Sequence, residues 1–115
     1  MKSIEISFSD FSVLYRVGEN AEDNDQIVKI SDPEDLWFHA KDISSCHVVA
    51  VISDMTLTKK DLQKVIRHGS LLCKQHTKKL NTIQNVVIMY TKRKNIERTK
   101  TLGCVLTKEW KENIV

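Results

Sequence analysis

Between Thr58 and Asn81, the residues Leu62, Val65, Ile66, Gly69, Leu72, Cys73, His76 and Leu80 recur at spacings of three and four. At about 100° per residue they share one face of a helix. Thr58-x-x-Asp61 reads as a capping-box start, and Asn81 as a C-terminal cap, so the spacing predicts a helix from Thr58 to about Leu80. A helix with one long apolar face must bury it against another layer. In this reading Cys73 and His76 both belong to the buried face.

The remaining sequence supplies strands for that layer. SIEISF at 3–8 alternates, with Ile4, Ile6 and Phe8 on one side, and SVLYRV at 12–17 follows across a short turn. AEDNDQIVKI at 21–30 is acidic first and basic last, which suits a short helix and its dipole, and SDPED ends it. Residues 36–40, 46–52 and 85–90 read as strands, the second and third central because they are apolar on both faces. KRKN reads as a basic turn, an edge strand follows from Asn95, and 102–107 and 109–115 close the sheet. The expectation is an α+β fold: a single mixed, mostly antiparallel sheet, with one long amphipathic helix and one short helix packed on it. It is read as one domain over residues 1–115.

Charge is distributed unevenly. The net charge of +3 conceals a first half (1–58) with four basic and eleven acidic residues, followed by twelve basic and two acidic residues at 59–100. On the predicted long helix, Lys60, Lys64, Arg67, Lys74 and Lys78 form a stripe opposite the apolar face, with Leu71 the lone apolar residue inside it. Solvated helix faces usually mix signs for i,i+4 pairing, whereas a row of like charges repels itself and calls for a counter-charge. Phosphates along a nucleic acid supply one. The following turn adds Lys92, Arg93, Lys94 and Arg98. An ordinary solvated surface, or an acidic protein partner, would fit the same charges.

Other classes find less support. No apolar stretch reaches the ~18–20 residues of a membrane span, and the N-terminus lacks a signal-like apolar run. Cys46, Cys73 and Cys104 are an odd, scattered set without CxxC spacing, which points to free thiols in a reducing, cytoplasmic compartment. His39, Cys46 and His47 lack the further converging groups that zinc requires, and Cys46 beside His47 is poor dyad geometry on a strand. Three scattered glycines build no phosphate loop. No metal, no cofactor and no catalytic group is expected. An enzyme using His39 and His47 as acid and base ranks last.

DLWFHAKDISSCHVV at 35–49 concentrates aromatic, histidine and lysine residues. Trp37 and Phe38 alternate on a strand, so one is expected in the core while the other is free to stack on a base. The segment resembles the signature of the NFACT RNA-binding domain, Asp-x-Trp-Phe/Leu-His-x-Lys followed by a turn and a second His. Asp35, Trp37, Phe38, His39, Lys41 and His47 stand at those positions. Upstream, Gly18, Asn20, Asn24 and Asp25 resemble its Gly-x-Asn…Asn-Asp element. Downstream, Tyr90, Thr91 and Lys94 resemble its Tyr-Thr…Lys segment, and Gly103 and Val105 its closing Gly-x-Val strand. Where the family has Pro-Gly-Ser before the second His, this chain has Ser44, Ser45 and Cys46. The resemblance implies RNA binding, with tRNA or rRNA and the large ribosomal subunit as expected partners in ribosome-associated quality control. It places His39, Lys41 and His47 at the contact surface, with the basic helix supplying salt-dependent affinity. An adaptor or general polyanion-binding role, for DNA or an acidic partner, is the alternative.

Overall fold

The computed structural model describes residues 1–115. Six strands form one sheet: β1 (Lys2–Ser7), β2 (Ser12–Val17), β3 (Leu36–Ala40), β4 (Val48–Val51), β5 (Val87–Lys92) and, last in the chain, β8 (Lys111–Ile114). Their spatial order is β1-β2-β4-β3-β5-β8, and every pairing is antiparallel. Two further strands, β6 (Ile96–Arg98) and β7 (Val105–Thr107), pair only with each other and form a separate ribbon. The α+β architecture is as the sequence predicts, but these two strands do not close the main sheet.

Helices α1 (Ala21–Ile30) and α2 (Lys59–Gln75) cover opposite faces. Strand alternation divides the core accordingly. Val13, Tyr15, Val17, Phe38, Val48, Ala50 and Ile88 meet Val65, Leu72 and Cys73 of α2. On the other side, Trp37 and Val49 meet Ile27 and Val28 of α1 and Ile96 of the ribbon. Adjacent residues Trp37 and Phe38 therefore enter two different cores, at 1% and 0% exposure. Neither ring is free to stack on a base, which corrects that expectation.

Helix α1 starts where the sequence places it. The Asn20 side chain accepts from Asp23 N at 2.8 Å, and Glu19 N donates to Asp23 Oδ2 at 3.0 Å. Thr58 caps α2 by accepting from Asp61 N at 3.1 Å. The far end of α2 departs from expectation: it stops at Gln75, short of Leu80. Thr77 donates its hydroxyl to Cys73 O at 2.8 Å and accepts from Cys46 N at 3.1 Å, and the chain continues as turns. Leu80 stays buried, but His76 is exposed, so His76 does not share the buried face with Cys73.

Two contacts fix α2 on the sheet. Tyr15 Oη donates to Val65 O at 3.0 Å. At Gly69, a Cβ would lie 2.2 Å from the Phe38 ring, so only glycine lets the helix approach this closely. Gly69→Ala is expected to destabilise the protein by about 1–3 kcal/mol, outweighing alanine's better helix propensity. Urea unfolding checks this, and combining Gly69→Ala with Phe38→Leu should recover part of the loss.

Candidate nucleic-acid interface

The segments flanking β3 and β4 surround the largest cleft, about 1180 Å³. Its walls are the 18–24 segment at the start of α1, the 42–47 loop, the 76–79 turn after α2, and the 102–107 segment that leads into the ribbon. Gly18, Asn20, His39, His47 and Lys78 all line it, so motifs far apart in sequence converge here.

The floor is an aromatic cluster. Trp37 Nε1 donates to His47 Nδ1 at 3.1 Å. The His39 ring stacks on Trp37 with centroids 5.6 Å apart, and His47 stands edge-on to both. His47 is 2% exposed; its backbone N donates to Asn24 Oδ1 at 3.1 Å, and its carbonyl accepts from Gly18 N at 2.9 Å. Burial, with His39 adjacent, drives the His47 pKa down to about 3, against an opposing contact from the Gly103 backbone. His47 is thus a neutral structural post. His39 is half-buried, and burial also lowers its pKa. Its Nδ1 lies 2.6 Å from Ala40 O, which can only accept, so Nδ1 carries the proton and Nε2 is left as an acceptor.

The loop with Ser44, Ser45 and Cys46 is held by side chains. Ser45 Oγ accepts from Ala40 N at 3.0 Å, and the Cys46 and Cys73 thiols each reach the other residue's carbonyl, at 3.4 and 3.5 Å. The neighbouring Cys73 side chain lowers the Cys46 pKa, and Cys46, with burial, raises that of Cys73. No three His, Cys, Asp or Glu side chains come together as metal ligands.

Asp35 is an architectural anchor. It is buried and accepts from Asp32 N, Ile52 N and Ser53 N at 2.9–3.0 Å, tying the end of β4 to the entry of β3. Lys41 lies outside the cleft lining and pairs with Glu112 at 2.8 Å.

The basic turn is largely neutralised from within. Lys92 and Lys94 both reach Glu34, at 3.3 and 3.4 Å. Arg98 grips Asp25 through two bonds of 2.9 and 2.8 Å. Arg93 donates to Val28 O at 2.6 Å and Ile96 O at 2.9 Å, fastening α1 to the ribbon. None of these four lines the cleft. The α2 stripe differs. Lys60, Lys64, Arg67 and Lys78 have no ion pair, and Lys74 reaches only Val115 O at 3.3 Å. The stripe on α2 therefore comprises Lys60, Lys64, Arg67 and Lys74; Lys78, expected on the same helix, lies in the turn beyond Gln75 and lines the cleft instead. Lys79, next to it on the rim, escapes the helical pattern because α2 has already ended. Asn24 joins the site only through tertiary contact.

The sequence profile of the NFACT protein RNA binding domain matches residues 6–108. The chain belongs to this family. It is accordingly an RNA-binding module. It is also similar to coiled-coil domain-containing protein 25 from Mus musculus and from Bos taurus, each 32% identical over 88 residues. Those matches cover 72% of this chain and 40% of the relatives, so the similarity spans well under half of their length. The C-terminal part of the fibronectin/fibrinogen-binding protein from Streptococcus suis has the same fold, with TM-score 0.79 at 24% identity, covering 100% of this chain and 45% of that one. No helix is long and apolar enough to cross a membrane.

The neutral histidines carry a pH signature. The unfolded chain takes up a proton on His47 near the usual 6.5, while the folded protein resists until about 3. Stability is therefore full above pH 6.5 and falls by up to roughly 1.4 kcal/mol per pH unit down to about 3. Urea midpoints should drop between pH 7 and pH 5. His47→Gln should start lower at pH 7 and fall less steeply; an unchanged slope would contradict the assignment.

Proposed function

We propose that this RNA-binding module takes structured RNA, tRNA or rRNA, in the cytoplasm, in a translation or ribosome-associated quality-control setting. The observation that supports binding on this surface is a set of α2 cations without ion pairs, Lys60, Lys64 and Arg67, together with Lys78 and Lys79 on the lining of the cleft that follows the helix. A stripe without counter-ions is where phosphate can bind without first displacing a carboxylate. The choice of tRNA, rRNA and the large subunit rests on the family resemblance. His39 enters as a hydrogen-bonding group rather than a cation, and His47 as its support. Lys41 enters as an exchangeable contact, since its exposed pair with Glu112 is weak enough for a phosphate to displace the carboxylate. A binding role, rather than acid–base turnover by His39 and His47, is supported by the commitment of the His47 ring to Trp37 and to the fold.

Titrating labelled tRNA over a range of salt concentrations, with duplex DNA as competitor, tests the reading. Lys64→Ala/Arg67→Ala should weaken binding and reduce the salt slope by about two. Glu112→Gln should free Lys41 and tighten binding by about threefold, the scale of an exposed ion pair. Equal competition by DNA, with no effect of the stripe variants, would favour a general polyanion or acidic-partner surface.

A further inference from the structure

The cleft interior is chemically unlike its rim. Its half-buried lining is neutral, with the His39 ring, the Asn24 amide and the apolar side chains of Met89 and Val105, and the exposed Asn20 amide stands at its mouth. The oxygens of both asparagines are used within the fold, Asn20 Oδ1 by Asp23 N and Asn24 Oδ1 by His47 N. Their NH2 groups make no hydrogen bond to protein and, like all polar side-chain atoms here without a partner, are not buried. The interior thus offers amide donors and one acceptor, His39 Nε2, over an apolar floor. Hydrogen-bonding and apolar groups together suit the edge and face of a heterocyclic base. The positive charge sits apart, at Lys78 and Lys79, where a phosphate would lie. Of the two acids on the walls, Glu19 faces the Met1 amine and Lys2, and Asp42 is exposed.

We propose that this cleft is a pocket for unpaired nucleotides of RNA, with bases inside against His39 and the asparagine amides, and the backbone on Lys78 and Lys79. The inference rests on the RNA-binding reading and narrows it to a substrate class. A duplex keeps its bases stacked and turns its phosphates outward, so it can use the α2 stripe and the rim but not the interior. A volume of about 1180 Å³ exceeds the ~300–1,000 Å³ of ordinary small-molecule pockets, which leaves room for more than one nucleotide. Recognition inside relies on neutral hydrogen bonds, so it should depend less on salt than binding along the stripe.

The test uses the full chain and mixed-sequence single-stranded RNA pentamers, blunt duplex RNA and an acidic peptide of matched charge. Amide NMR titration should show the pentamers shifting Gly18, Asn24 and Gly103, while duplex RNA shifts α2 residues instead. His39→Phe keeps a ring on Trp37 but removes the acceptor; it should weaken pentamer binding by about threefold or more, a hydrogen bond's worth, and duplex binding by clearly less. Lys78→Ala/Lys79→Ala should weaken both. If structured RNA binds through the stripe while pentamers leave the cleft amides unmoved, the pocket is overturned and the broader reading stands. If the acidic peptide shifts the cleft amides as strongly as the pentamers, the pocket is a protein site. If no RNA binds, both readings fall.

Discussion

Strand β3 is the constraint on which the rest of this protein depends. Its neighbouring aromatic residues point in opposite directions, Phe38 under Gly69 of α2 and Trp37 under α1. Burying both requires a sheet covered on both faces, and so requires both helices. The same strand then places His39 on the Trp37 side, one residue beyond the Phe38 contact. The packing that holds the fold together also sets the floor of the cleft. Asp35 locks the strand's entry to the end of β4, and Ser45 locks the loop that follows its exit.

Much of this was legible in the residues. The three-and-four spacing of α2 and the alternation of β1 and β2 are periodic signals; the two strands and the start of α2 occur where they were expected, while α2 ends at Gln75 rather than near Leu80. Tertiary partners decided the rest. Thr77 ends its part in the helix by binding Cys46, 31 residues away, and no local propensity encodes that. The sequence marked a strand from Asn95 and another at 102–107 and assigned them to the main sheet, whereas they pair only with each other. In the site, family resemblance marked both histidines, yet only the contacts distinguish the committed ring of His47 from the acceptor on His39. Charge was the least legible. Twelve basic residues between 59 and 100 look alike in sequence, but Glu34, Asp25 and two backbone carbonyls occupy Lys92, Arg93, Lys94 and Arg98, while Lys60, Lys64 and Arg67 of α2 stay open.

That division gives the protein two electrostatic characters on a small body. Around the turn, opposite charges bind the halves of the sequence to each other, and the acidic first half is partly spent there. Along α2 the field is left uncompensated. Net charge would therefore be a poor guide to this protein's affinity for a polyanion, because the relevant quantity is the local excess on one helix.

The ribbon that forms one wall of the cleft has a different mechanical status from the other three. Its strands are three residues each, they share no ladder with the main sheet, and buried Ile96, with Arg93 and Arg98, tethers it to α1. Such a unit breathes at lower free energy than a six-stranded sheet clamped between helices. One jaw of the cleft is thus joined to the body by a few side chains and not by a ladder of the main sheet. Any molecule held between them would be an additional tether, so the rigidity of this jaw is set as much by occupancy as by sequence.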